Sequence, residues 1–140
     1  MTKADRAEDD DVLYGGTWLT VRAMQRSNGQ LPALSWYRAL DGRELGAFRA
    51  AATNVENSWR ARRPGIVRTA RIPRSSQGLT QLRVTLPAAK PPHLRAMFLR
   101  DEQVMWLTHG FSTQKKILDL AEIELGDSIA ADWLQQRSAS

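Results

Sequence analysis

The sequence predicts a small α+β protein, in which an antiparallel β-sheet meander packs against an N-terminal helical hairpin and is followed by a C-terminal helix. Apolar residues recur every three or four positions between residues 45 and 59, and they alternate with polar residues between 79 and 109. Residues 114–137 are again helical in composition. With 140 residues, 42% of them hydrophobic, the chain is long enough for one domain with one core.

The N-terminal segment is acidic. Residues 1–12 hold five acidic and two basic side chains and are predicted to form a disordered tail, which leaves residues 13–140 as a single domain. Leu19, Val21 and Ala23 alternate with polar neighbours and predict a strand between residues 12 and 24. Asn-Gly and Pro signals over 25–32 mark a loop, and a short helix is expected over 33–40.

The next element is a capped helix. Asp41 and Glu44 have the spacing of a capping box, with Asp41 as the N-cap. One buried stripe follows at helical spacing, made of Leu45, Phe48, Ala52, Val55 and Trp59. The helix is predicted to continue to about Arg63, because the following Pro64 and Gly65 cannot extend it.

The period then changes to two. Residues 66–72 predict a short edge strand or an extended arm, and segments 79–86, 93–100 and 103–109 predict three consecutive strands. Short links make these strands an antiparallel meander with one face on the helices and one face outward. In the C-terminal segment, Gly126, Asp127 and Ser128 are predicted to split or kink the helix.

Basic residues are concentrated in the middle of the chain. Ten Arg or Lys residues and no Asp or Glu lie between Arg60 and Arg100. Such a block is typical of a protein that binds a polyanion, and a solvated basic surface is the alternative of equal weight. Nine of the ten are arginines, whose guanidinium groups engage two phosphate oxygens at once, which slightly favours recognition of phosphate.

Several classes of site are disfavoured by composition. The chain has no cysteine, which excludes disulfides and thiolate metal sites, and His93 and His109 lack the spacing of a metal motif. We therefore expect chemistry without a metal or other cofactor. No apolar run approaches the ~20 residues of a membrane span, and the N-terminus has no secretory signal, so a cytoplasmic protein without a membrane partner is expected.

Four segments between Gly78 and Ala121 carry a family resemblance: GLTQLRV, LRAMFLR, VMWLTHGF and TQKKILDLA. In this order they resemble the C-terminal half of the RelE/ParE toxin superfamily, nearest the phage-derived HigB-like branch. Its members tend to read G-L-x-E-L-R, then R-x-x-F-F, then a hydrophobic strand ending in H-G-F. The helix pair upstream falls where such toxins have a helical hairpin, so the similarity covers residues 36–121.

The resemblance implies a RelE-like fold and a toxin of a type II toxin–antitoxin system. Its expected activity is ribosome-dependent, metal-independent cleavage of mRNA. The implied partners are the ribosome, mRNA and a cognate antitoxin of the helix-turn-helix type. Gln81 stands where the family has Glu, and the family's lysine loop after H-G-F is absent. Two alternatives therefore stay open: a non-catalytic relative, such as a gyrase-directed inhibitor, and a basic nucleic-acid-binding protein.

Metal-free RNA cleavage needs a base for the ribose 2′-hydroxyl, cations for the phosphorane and an acid for the leaving oxygen. Arg83 matches the arginine of the family's E-L-R, and Arg95 lies in the adjacent predicted strand, so both are expected to contact phosphate. His109 matches the H-G-F histidine and is the predicted general acid or base. His93 is either a further functional imidazole or a turn residue. Further RNA contacts are predicted at Arg74, Lys115 and Lys116.

Overall fold

A computed structural model describes residues 10–62, 69–86, 93–115 and 117–139. The strands along these residues are β1 (Val12–Gly15), β2 (Thr20–Ala23), β3 (Thr69–Arg71), β4 (Thr80–Thr85), β5 (His93–Asp101) and β6 (Val104–Thr113). The helices are α1 (Pro32–Arg38), α2 (Gly42–Ala61) and α3 (Leu120–Ala139). The strands form one open sheet in the order β1-β2-β6-β5-β4-β3. The protein is thus mixed α and β, compatible with the predicted α+β class.

The predicted meander is confirmed. β4, β5 and β6 are antiparallel neighbours, and β3 pairs with β4 as the edge strand that was one of two predictions for its segment. β2 extends the sheet by pairing parallel to β6, from Thr20 opposite Val104 to Ala23 opposite Leu107. Long-range pairing of this kind leaves no local pattern in the sequence.

The strand predicted from Leu19, Val21 and Ala23 is confirmed as β2, and the start of the same segment forms a second strand, β1, that pairs with β2 as an antiparallel hairpin. The buried Glu56 of α2 explains the turn, because its Oε2 accepts hydrogen bonds from the backbone N–H groups of Trp18 at 2.8 Å and Leu19 at 2.7 Å. Residues 1–9 of the predicted tail lie outside the described residues. The tail boundary at residue 12 is too late, because Asp11 forms a 2.8 Å ion pair with Arg22 and Val12 begins β1.

The capping box of α2 is confirmed in both directions. The Glu44 N–H donates to Asp41 Oδ1 at 2.8 Å, and the Asp41 N–H donates to Glu44 Oε1 at 2.9 Å. The helix ends at Ala61, and Arg62 closes it with a left-handed φ of 55°. The predicted end near Arg63 and the Pro64-Gly65 stop lie outside the described residues.

Two hydrophobic cores lie on the two faces of the sheet. On one face α1 and α2 pack through residues such as Phe48, Ala52 and Val55 against alternate residues of β2, β4, β5 and β6. On the other face α3 contributes a second buried cluster, made of Ile123, Ile129, Ala130 and Trp133 with Met24, Ile72, Leu79 and Met97. The expectation of an outward second face is therefore wrong where α3 covers it.

The prediction that the C-terminal helix splits at residues 126–128 is also wrong. α3 runs without interruption through Gly126, whose missing side chain lets the helix approach the sheet: a Cβ there would lie 2.8 Å from Met97 Sδ. Asp127 does not cap a helix. Its carboxylate accepts hydrogen bonds from Ser75 Oγ at 2.6 Å, the Ser76 N–H at 2.9 Å and the Gln77 N–H at 3.2 Å. Both residues thus serve contacts between α3 and distant segments.

Candidate functional site

Three strands place basic and aromatic residues together on the sheet face that α3 only partly covers. In the strand registers Arg83 lies opposite Arg95, and Arg95 lies opposite Phe111. Two residues further along, Thr85 lies opposite His93. Because side chains two residues apart on a strand share a face, His93 lies on the same face as Arg95. We call Gln81, Arg83, His93, Arg95 and Phe111 the arginine face.

Arg95 is the fixed charge of the arginine face. It is only 4% exposed, and its guanidinium donates to Gln81 Oε1 at 2.9 Å and to the Lys115 carbonyl at 2.8 Å. Burial, together with repulsion from the nearby charge of Arg83, lowers its pKa. Because Gln81 is a neutral acceptor, the partner that orients Arg95 does not cancel its charge. The local potential therefore favours an anion.

Arg83 is the accessible charge of this face. Its side chain is exposed, and no described side chain forms an ion pair with it. Like charges directly opposite on adjacent strands are destabilising in the absence of a counter-ion. A phosphate bound beside Arg83 and Arg95 would therefore relieve the repulsion between their charges. Both predicted phosphate contacts are brought together here.

His109 faces the same side of the sheet as the arginines, but α3 covers it. Its exposed fraction is 5%, its Nε2 lies 2.7 Å from Glu122 Oε2 of α3, and its Nδ1 lies 3.0 Å from Thr108 Oγ1. The imidazole also stacks on Phe111, with 5.5 Å between ring centroids. The desolvation that comes with burial lowers the pKa of His109, and Glu122 opposes this shift.

The prediction that the strand ends at His109 is wrong, because β6 continues to Thr113. An irregularity in register places His109 opposite Met97 but Leu107 opposite Phe98, so Thr108 is an extra residue. Such a bulge moves the following residues to the other face, and simple alternation misses it. The catalytic role predicted for His109 stays a prediction, and it requires α3 to move, since both ring nitrogens are engaged.

His93 is the other imidazole and is more accessible. It is the first residue of β5, it is half-buried, and it pairs with Thr85 on one side and Thr113 on the other. It is thus a strand residue and not the turn residue that the sequence left possible. Its position two residues along the strand from Arg95, on the same face, makes it the imidazole that a ligand on the arginine face would meet first.

The other residues predicted to contact RNA are Arg74, Lys115 and Lys116, and they differ in their relation to the arginine face. Arg74 is exposed and lines a shallow pocket of about 350 Å³ that also includes Gln81 and Ile117. The Lys115 ammonium forms a 2.9 Å ion pair with Asp119, while its backbone carbonyl holds Arg95. Lys116 lies outside the described residues. Glu122 and Thr108, which hold His109, were not anticipated from the sequence.

The described residues lack two further classes of feature. No three His, Asp or Glu side chains there come together as a metal site would require. No described helix combines the length and apolar character needed to cross a bilayer.

No protein-family model matches the chain, and no curated protein matches it significantly. The resemblance to the RelE/ParE superfamily therefore rests on the sequence motifs alone and stays a prediction.

Proposed function

We propose that this protein is a toxin of the RelE/ParE type, nearest the HigB-like branch, that cleaves mRNA on the ribosome without a metal. The observation that carries the proposal is the pairing in register of Arg83 and Arg95 on adjacent strands, with Arg83 exposed and unpaired among the described residues. The exposed guanidinium of Arg83 suits the phosphodiester of RNA, because it can donate two hydrogen bonds to phosphate oxygens, and the buried charge of Arg95 beside it adds to the positive potential.

The chemistry assigned to the arginine face is transesterification at phosphorus. A base removes the proton of the ribose 2′-hydroxyl, O2′ bonds to phosphorus, and the bond to O5′ breaks as an acid protonates that oxygen. The products are a 2′,3′-cyclic phosphate and a 5′-hydroxyl. Arg83 and Arg95 stabilise the charge that develops on the phosphorane. We assign the removal of the 2′-hydroxyl proton to His93, because its imidazole is the accessible one on this face, and the protonation of the leaving O5′ to solvent water.

We assign His109 a positioning role while α3 covers it. Its ring links Glu122 of α3 to Thr108 of β6: in the neutral imidazole the Nε2–H donates to the Glu122 carboxylate, and Nδ1 accepts from the Thr108 hydroxyl. This chain of hydrogen bonds ties α3 to the centre of the sheet. It therefore holds the helix beside the arginine face, where Lys115 supports Arg95.

The experiment compares two exposed arginines on neighbouring strands. Induced wild-type protein should arrest bacterial growth, and it should cut mRNA in a translation extract only when ribosomes are present. Arg83→Ala should abolish both effects. Arg71→Ala on β3 is the matched control, because Arg71 lies opposite Thr80 and therefore on the other face. Equal activity of wild type and Arg83→Ala, with both proteins folded by circular dichroism, would contradict the proposal.

A second candidate is a non-catalytic toxin relative that inhibits a target such as gyrase. The engagement of both His109 nitrogens favours it, as does the neutral Gln81 in place of a carboxylate. If this candidate is right, we expect growth arrest without mRNA cleavage, together with inhibition of supercoiling by purified gyrase.

For either candidate we propose an antitoxin as the partner. We expect it to be a helix-turn-helix protein that is encoded beside this one and purifies with it.

A further inference from the structure

A second basic surface lies at the opposite end of the sheet, where α2 ends beside the β5–β6 turn. A groove of about 680 Å³ is open there, and we call it the tryptophan groove. Its lining residues are Trp18, Ser58, Trp59, Arg60, Arg62, Arg100 and Gln103. Three of these carry a positive charge and none is acidic. Part of the acid-free block of the sequence thus lies here and not on the arginine face.

Arg100 is pre-oriented in this groove. Its guanidinium lies over the Trp59 ring, 4.0 Å from the ring centroid, and its Nε donates to the Glu102 carbonyl at 2.9 Å. Phe98 packs against Trp59 from the sheet, with 5.9 Å between ring centroids. Held by a ring and a carbonyl, the guanidinium keeps its two terminal nitrogens for a ligand. A fixed fork of this kind loses little entropy when it binds an oxyanion.

The α2 terminus supplies the other two charges. Arg60 and Arg62 are exposed, and Arg62 closes the helix in the left-handed conformation. The half-buried ring of Trp18 lines the same groove from the β1–β2 turn. Glu56, the nearest buried carboxylate of α2, is occupied by the N–H groups of that turn. These hydrogen bonds lower the pKa of Glu56, so its carboxylate stays charged, but it does not line the groove, where three arginines do.

Cationic side chains beside an accessible aromatic ring are the combination with which proteins hold single-stranded nucleic acid. We propose that the tryptophan groove is a binding site for single-stranded nucleic acid, with phosphates on Arg60, Arg62 and Arg100 and one base on Trp18. A nucleotide fits the volume, and no acidic side chain is among the residues that line the groove.

The groove is separate from the arginine face. Arg100 lies seven residues after His93 on β5, so the two residues are about 23 Å apart at the usual rise of a strand. Arg100 also lies on the opposite face of the sheet. A ligand in the groove therefore does not touch Arg83 or Arg95. The groove would retain a single strand without taking part in cleavage, and its binding is independent of the function proposed above.

The test uses the whole protein and a 5′-phosphorylated oligodeoxythymidylate of about six nucleotides, which lacks the 2′-hydroxyl needed for cleavage. Tryptophan fluorescence reports binding at several salt concentrations. Two charge-matched double variants are compared: Arg60→Gln with Arg100→Gln in the groove, and Arg38→Gln with Arg43→Gln on α1 and α2 outside it. Trp18→Leu removes the proposed stacking ring, and Arg83→Gln tests the other face.

The groove variant should flatten the slope of log K against log salt by about 1.4, which is two contacts at about 0.7 each, and the outside variant should leave it unchanged. Trp18→Leu should weaken binding by about tenfold and lose most of the quenching. Equal losses in the two double variants, or loss of binding in Arg83→Gln, would overturn the proposal. Displacement by a polyglutamate peptide of equal charge would also overturn it, in favour of an acidic protein partner.

Discussion

Gly110 offers the sharpest test of how the sheet packs against α1. It lies in β6 opposite Ala96, directly beneath the Trp36 ring of α1, and a Cβ built on it would overlap three fused-ring carbons of that indole. Trp36 cannot easily retreat, because its ring packs edge-on against Phe48 with 5.5 Å between centroids. Gly110→Ala should therefore destabilise the protein, although alanine is normally better than glycine in a strand.

The magnitude follows from two opposing contributions. Forcing extra volume into a packed core costs about 1–3 kcal/mol, and the rigid ring places Gly110→Ala at the upper end of that range. The reduced freedom of the unfolded chain offsets about 0.5–1 kcal/mol. The expected net loss is about 2 kcal/mol in the free energy of unfolding. For a chain of this length that corresponds to a fall of about 8 °C in Tm.

The assay is urea denaturation followed by circular dichroism, with two companion variants. Gly46→Ala on α2 is the matched control, because a Cβ there meets nothing within 4 Å, so it should stabilise the helix by about 1 kcal/mol. Trp36→Leu removes the obstructing ring, and adding it to Gly110→Ala should cost at least about 1 kcal/mol less than the sum of the two single changes. Additivity within about 0.4 kcal/mol would refute the predicted contact.

The remaining predictions concern charged and polar contacts. Glu56→Leu should lower the free energy of unfolding by about 2–4 kcal/mol in urea titrations, because two turn N–H groups lose their acceptor, and an unchanged midpoint would contradict this. Burial lowers the pKa of His109 in the folded chain. Below about pH 6.5 the unfolded chain therefore binds a proton that the folded chain does not, and the free energy of unfolding should fall as the pH drops through that value. The fall should be absent in His109→Phe, and a pH-independent Tm in wild type would argue against the buried neutral imidazole. Asp127→Asn should speed amide exchange at residues 75–77 while leaving α3 helical, and unchanged exchange there would exclude the proposed anchor.

The site shows where sequence reasoning stops. Alternation along β4 and β5 placed Arg83 and Arg95 on the face opposite Leu82 and Leu94, and the strand register brings them together as that pattern required. The same alternation fails in β6, because the bulge at Thr108 shifts the residues after it to the other face. A bulge inserts one residue into a ladder, and no local composition marks it.

What the sequence by itself determined is local. The capping box of α2, its buried stripe and the alternation of the meander are each encoded within a few residues, because helix caps and side-chain periods depend on near neighbours. Only the tertiary structure decided that α3 covers the second face, that Gly126 serves close packing, and that His109 lies buried against Glu122. The same holds for the division of the basic block between two surfaces. These features depend on contacts between segments tens of residues apart, whose free energies come from packing and desolvation and not from chain propensity.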